Sequence, residues 1–246
     1  GCMGAAYEFL LNIEKWLREQ KIRKKVDLNW VTPETFLGHF GIDGIAGGET
    51  MLKTFMKMFN IHYRTEVGIK EVTKDAVVLS TGEILESKFT MLMPPFVGVD
   101  LVQNSKGLKA DANGYIPVED TYRHKEIDNV WAAGIAVKVD LPFTPGKVPF
   151  STPKTGYPSD ETGKIVAENI IRVTKGKTKL KKKAWGKIPG LCVMDAGKKE
   201  VIIITNHLFK PRQFAMMVPN VFYDVFKVLF EKYFLWKTRK GYSYLP

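Results

Sequence analysis

The spacing of apolar residues changes twice before residue 95, and this limits the chain to folds that mix helices with sheets. Residues 4–20 (GAAYEFLLNIEKWLREQ) place Ala6, Phe9, Leu10, Ile13 and Leu17 on one stripe at helical spacing. Lys21 to Lys25 form a basic exit turn, and Val26 to Val31 read as a strand. Pro33 and the glycines at 38, 41, 44, 47 and 48 make the next stretch a loop, after which Glu49 to Phe59 returns to helix. Residues 61–93 then take on strand character. Val67 to Val72 and Ala76 to Leu79 are strand candidates, and Ser80-Thr81-Gly82-Glu83 is a hairpin turn into Ile84-Leu85. Phe89 to Met93 reads as a short buried strand stopped by Pro94-Pro95. Helix, strand, helix and meander in that order predict an α/β fold with an antiparallel insertion.

Further along, Val130 to Gly134 is a strand running into a glycine, followed by a loop with Pro142, Pro145, Pro149, Pro153 and Pro158. A helix is expected from about Asp160 to Val173. Lys175 to Lys187 holds seven lysines and reads as a surface loop, and Val201 to Thr205 is again a strand. No internal repeat is found. Residues 219–240 (PNVFYDVFKVLFEKYFLWKTRK) predict an amphipathic helix. Phe222, Phe226, Leu229, Phe230, Tyr233 and Trp236 share one side, Asp224, Lys227 and Glu231 the other, and Lys237, Arg239 and Lys240 close it.

A chain of 246 residues with 45% hydrophobic content can bury one large core or two small ones. Its net charge of +11 calls for an anionic partner, either nucleic acid or anionic lipid. No nucleic-acid motif is present. The aromatic excess and the basic end of the last helix favour an interfacial helix in the headgroup region, although a core helix would show a similar stripe. No run of about 20 apolar residues suggests a membrane-crossing helix. Cys2 and Cys192 are too far apart in sequence for a zinc knuckle, a CxxC motif or a disulfide-dense scaffold. They are either a redox pair or two unrelated small buried residues. His39, His62, His124 and His207 share no spacing, and no metal is expected. The opening Gly1-Cys2-Met3-Gly4 reads as the interior of a longer protein.

Five motifs carry chemistry. Gly1-Cys2-Met3-Gly4-Ala5-Ala6-Tyr7-Glu8 is a glycine loop entering a helix, where backbone N–H groups can hold an anion or stabilise a thiolate. Asp128-Asn129-Val130-Trp131-Ala132-Ala133-Gly134 resembles the second FAD fingerprint of the two-dinucleotide-domain flavoproteins, with Thr121 and Tyr122 ahead of it. Pro153-Lys154-Thr155-Gly156-Tyr157 opens a helix, and Pro94-Pro95-Phe96-Val97-Gly98 follows a strand candidate. Gly190-Leu191-Cys192-Val193-Met194-Asp195 completes the set. Together, and in their order along the chain, they resemble the C-terminal part of the sulfide:quinone oxidoreductases.

That resemblance implies FAD as cofactor, with Gly134, Ile135, Lys154, Thr155, Gly156 and Pro95 lining it. Lys154 and a helix N-terminus would favour anionic reduced flavin. Ile135 stands where the family has an acidic residue, so a ribityl hydroxyl would be held by other groups such as main chain. The resemblance further implies that Cys2 and Cys192 pair as the redox cysteines, that sulfide attacks their disulfide or polysulfide bridge, and that one cysteine carries a persulfide. Two electrons then pass to FAD and on to a membrane quinone approaching near Phe209 and Phe214. The implied domains are residues 1–95 (second Rossmann-like, NAD-type domain without its first strand), 96–185 (return to the FAD domain) and 186–246 (redox cysteine and amphipathic membrane-anchoring helix). The N-terminal FAD half with its GxGxxG would be missing. Expected partners are sulfide, quinone and the lipid bilayer surface, with peripheral, monotopic membrane attachment and no nucleic acid; a homo-oligomer is left open. Competing readings are a type II NADH:quinone dehydrogenase, a flavocytochrome c-type sulfide dehydrogenase and a non-catalytic membrane-associated module.

Overall fold

The computed structural model describes residues 2–197, 200–220 and 223–245. The expectation for Phe222 therefore lies outside the described residues, as do those for the side chains of Asp224 and Phe226. By packing, the chain divides into two units. The first comprises Gly1–Pro95, Leu141–Pro153 and Met194–Lys198; the second comprises Phe96–Asp140, Lys154–Val193 and Lys199–Pro246.

The first unit begins with helix α1 (Met3–Glu19), which leads into strand β1 (Leu28–Val31), helix α2 (Gly48–Met58) and strand β2 (Ile61–Arg64). β1 and β2 pair in parallel, Leu28 opposite Ile61 and Val31 opposite Arg64, with α2 as the crossover that a parallel pair requires. Strands β3 (Ile69–Val72), β4 (Ala76–Leu79) and β5 (Ile84–Glu86) follow as an antiparallel meander. Val67, Val77 and Leu79 form its small core. This is the α/β arrangement with an antiparallel insertion that the change of period predicts.

Two expectations shift here. The buried face of α1 comprises Ala6, Tyr7, Leu10, Leu11, Glu14 and Leu17, whereas Phe9 and Ile13 of the expected stripe are only partly covered. The face is turned because Tyr7 and Glu14 each have polar partners inside. Tyr7 donates to Glu34 (2.8 Å), and Arg18 binds Glu14 through two nitrogens at 3.0 and 3.1 Å. Phe89 to Met93, expected as a buried strand, is neither a strand nor buried. The meander closes at β5, no strand pairs with this segment, and Phe89 lies instead against the ring of Phe9.

Residues 141–153 complete the first unit as a strap. Gly41, with φ +69°, lies beneath it, and a Cβ there would come within 2.3 Å of the Ser151 carbonyl oxygen. Only glycine allows that approach. Phe143 and Phe150 of the strap meet the His39 ring edge-on at 4.7 and 4.8 Å.

The second unit contains helices α3 (Asp100–Asn104) and α4 (Gly156–Thr174) and strands β6 (Gly190–Asp195), β7 (Glu200–Thr205) and β8 (Ala215–Asn220), closing with helix α5 (Tyr223–Arg239). The sheet order is β6-β7-β8, and β7 and β8 are antiparallel with Ile204 opposite Met216. Val201 to Thr205 is a strand as expected, but β8 takes Pro219 that was expected to open the final helix. An edge strand tolerates a proline, because the missing N–H costs no ladder bond on its outer side. Val130 to Gly134 is no continuous strand. Trp131 makes a single bridge to Arg123, and Gly134–Ala136 is a 3-10 turn. Among the described residues, no helix is long and apolar enough to cross a membrane.

Candidate functional site

In the second unit, five of the residues singled out in the sequence meet at one place. α4 begins at Gly156, four residues ahead of its expected start. The segment just before it carries Lys154, which is almost fully buried. Its ammonium donates to the carbonyl oxygens of Val137 (2.7 Å) and Ile135 (3.4 Å), and lies 3.1 Å from the centre of the Tyr115 ring. Burial pulls its pKa down from the ordinary lysine value to about 8, with Asp111 pulling the other way. The same burial raises the Tyr115 phenol, helped by Asp111. An ammonium shared between carbonyl dipoles and an aromatic face is the usual way to keep a cation in low dielectric.

Gly134 lies on the same turn and needs φ +58°; a Cβ there would come within 2.6 Å of the Ser159 hydroxyl. Its N–H donates to the Thr162 hydroxyl (2.9 Å), which in turn donates to Pro158 O (2.8 Å). The turn that carries Ile135 is thus fixed from two sides, by Lys154 and by α4. The Ile135 side chain itself is exposed.

The start of α4 is open. Thr155 is the capping residue but makes no side-chain cap, and a Cβ on Gly156 would meet nothing within 4 Å. Helix geometry leaves the first N–H groups without intrahelical acceptors and gives that end a positive partial charge. Such an end favours an electron-rich ring edge or an oxyanion. Pro95 is exposed and belongs to the first unit.

The cysteines lie in different units. Cys2 is the capping residue of α1, with its carbonyl accepting from Ala6 N–H at 3.4 Å. Cys192 is in β6, and both side chains are half-buried. Phe209 and Phe214 lie between β7 and β8. Phe209 packs on Gly186, whose added Cβ would come within 2.5 Å of its ring. Phe214 is exposed, and its N–H donates to the Asn206 side chain at 3.0 Å. Phe214, Met216 and Val218 alternate along the chain to one exposed face, together with Ile204 of β7.

Sequence reading missed Tyr115, Ser159 and Thr162. Nothing local marks Tyr115, whose role arises only when the chain folds back on Lys154. Nothing local marks Thr162 either, since the Gly134 N–H that it accepts comes from 28 residues earlier in the sequence.

The first unit holds a second buried polar cluster. The Glu34 carboxyl accepts from the hydroxyls of Tyr7 (2.8 Å) and Thr32 (2.9 Å) and from Phe40 N–H (2.8 Å). Burial raises its pKa, against the lowering by those donors, and burial likewise raises Tyr7 well above the ordinary phenol value.

These features define a mixed α/β fold that solved oxidoreductases share. The ferredoxin reductase from Rhodopseudomonas palustris shares it at TM-score 0.51 and 14% identity, over 75% of this chain and 43% of that one. A much closer likeness is to sulfide-quinone reductase. The chain is 29% identical to the Aquifex aeolicus sulfide-quinone reductase over 246 residues, 98% of this chain and 56% of that protein. The X-ray structure of the Aquifex aeolicus sulfide:quinone oxidoreductase matches with TM-score 0.90 and 28% identity over the same shares. The chain therefore spans a little over half the length of the relative it matches. No family model matches it.

Proposed function

We propose that this chain is the C-terminal part of an FAD-dependent sulfide:quinone oxidoreductase, oxidising sulfide to polysulfide or sulfur and passing the electrons to a membrane quinone. The observation that carries the reading is the likeness to the Aquifex enzyme along nearly the whole chain. Cys2 and Cys192 support it further. A type II NADH dehydrogenase has no need of cysteines at these two places, and the exposed aromatic surface of α5 suits a quinone enzyme better than one that serves a haem subunit.

FAD, when bound, supplies a two-electron acceptor. The Gly134–Ala136 turn would hold the ribityl region through its main chain, since Ile135 offers no carboxylate. The open start of α4 at Thr155 and Gly156 would face the ring, and Lys154 would keep the turn rigid while adding positive field. Pro95 would lie beside the flavin. For the sulfur chemistry, HS⁻ attacks one sulfur of a Cys2–Cys192 bridge and that sulfur–sulfur bond breaks. One cysteine then carries the new persulfide and the other leaves as thiolate, the form that can pass electrons on. Quinone would approach along the apolar face of Phe214, with Phe209 buttressing the loop from behind. The protein would attach to one leaflet of the bilayer through α5, without crossing it.

The test is sulfide-dependent reduction of a short-chain quinone by the intact protein, wild type against Cys192→Ser. Activity should fall to background with FAD still bound. Full activity in the variant, or electron supply from NADH in place of sulfide, would overturn the reading.

A further inference from the structure

The seven lysines from Lys175 to Lys187 are the densest run of positive charge in the chain. Their segment is pinned in place by its main chain. The buried side chain of Asn169 on α4 donates to Lys181 O (2.9 Å) and Thr121 O (3.0 Å) and accepts from Lys181 N–H (2.8 Å). Arg172 donates to Lys179 O at 3.3 Å, and Lys183 N–H donates to Asp120 O at 2.9 Å. The segment thus doubles back along α4, and the Lys183 ammonium reaches Glu161, early in that helix, at 3.2 Å.

The charges along this strip are not compensated. Of the three carboxylates on α4, Glu168 binds Arg172 and Lys181, Glu161 binds Lys164 and Lys183, and Asp160 binds Lys164 and Lys237. All three are occupied. Lys175, Lys177, Lys179 and Lys182 are exposed, and none is in an ion pair among the described residues. Fixing four like charges side by side on one backbone costs energy unless an anionic surface meets them.

The same α4 carboxylates show what adjoins the strip. Lys237 of α5 is bound to Asp160 (3.2 Å), one residue from the Glu161 that anchors Lys183. The strip therefore ends beside α5, where Leu229, Phe234 and Trp236 are exposed. A row of cations leading to an apolar, aromatic helix matches a layer of anionic headgroups over acyl chains. A nucleic acid would satisfy the lysines but would leave those side chains in water.

We infer that the strip formed by Lys175, Lys177, Lys179 and Lys182 is a docking surface for anionic phospholipid headgroups, separate from the apolar contact made by α5. The inference rests on the membrane reading above and adds a lipid class to it. Each lysine near an anionic leaflet strengthens association roughly fivefold, corresponding to about 1 kcal/mol at low salt. Four of them should be worth roughly six hundredfold.

The experiment is co-sedimentation of the intact FAD-loaded protein with phosphatidylcholine vesicles and with vesicles that also contain phosphatidylglycerol. Wild type is compared with the variant K175Q/K177Q/K179Q/K182Q. Wild type should prefer the anionic vesicles by about that factor, less so at high salt, and the variant should lose the preference while still binding phosphatidylcholine. Equal binding of both proteins to the anionic vesicles would overturn the inference. So would a wild type indifferent to vesicle charge, including one that instead binds duplex DNA through these lysines. Sulfide-dependent reduction of a water-soluble quinone, measured on the same samples, should be equal in the two proteins. Its absence from wild type would sink the enzymatic reading and leave the vesicle result standing.

Discussion

α1 and α5 are both 17 residues long, and they treat their side chains in opposite ways. α1 turns Tyr7, Leu10, Leu11 and Leu17 inward and completes a core within its own unit. In α5 Leu229, Phe234, Leu235 and Trp236 face outward, while the side chain of Lys237 is 2% exposed and tied to Asp160. Their buried charges differ as well. Glu34, in the unit of α1, is held by three neutral donors, whereas Lys154, in the unit of α5, is held by two carbonyls and an aromatic ring. Similar apolar content can therefore build a core or dress a surface. Hydrophobicity alone does not separate the two; what separates them is whether the apolar side chains are covered.

The sharpest way to break this contrast is Leu11→Ala in α1. Leu11 is 1% exposed, and its loss should destabilise the fold by about 2–5 kcal/mol, read from a urea melt. A cost below about 1 kcal/mol would mean that α1 is not the core helix described here.

Next comes the buried lysine. In the native state Lys154 releases its proton near pH 8, whereas the unfolded chain holds it to about 10.5. Between those values the unfolded state binds more protons, so stability from this group rises with pH. Lys154→Met should remove that rise, so the melting temperature of wild type minus that of the variant should increase from pH 8 to 10.5. A constant difference across the window would show that the ammonium is not held in low dielectric.

The smallest effect on stability is expected from Leu229→Ser in α5. Leu229 is 59% exposed, and its replacement should move stability by no more than about 0.5 kcal/mol while weakening binding to phosphatidylcholine vesicles. A large loss of stability would put α5 in the same class as α1.

The two helices also differ in how well the sequence announced them. α1, α2, β1 and the β3–β4–β5 meander follow from periodicity and turn signals carried by their own residues. The stripe on α1 was misplaced only because Tyr7 and Glu14 find polar partners that no local pattern reveals. Phe89 to Met93 has the composition of a strand but lacks a partner, and pairing is a tertiary fact. β6 and β8 escaped notice for a related reason. β8 is an edge strand, and its proline argues against a strand until that position in the sheet is known. At the candidate site, the resemblance drew attention to Gly134, Ile135, Lys154, Thr155 and Gly156. It could not show that the Lys154 ammonium turns onto the carbonyls of Ile135 and Val137, because that choice depends on Tyr115, far away in sequence.

The strap of residues 141–153 bears on how the polypeptide reaches its native state during translation. Residues 1–95 emerge before the piece that lies over Gly41 and seats Phe143 and Phe150 against His39, which is made some fifty residues later. Until then the loop around Gly41 and His39 stays uncovered on the nascent chain. The long sequence separation also slows closure, since the entropy of the intervening loop must be overcome first. Truncation after Pro95 should consequently give an incomplete body prone to association, and any tag or insertion placed within 141–153 would disturb the first unit although it interrupts the second in sequence.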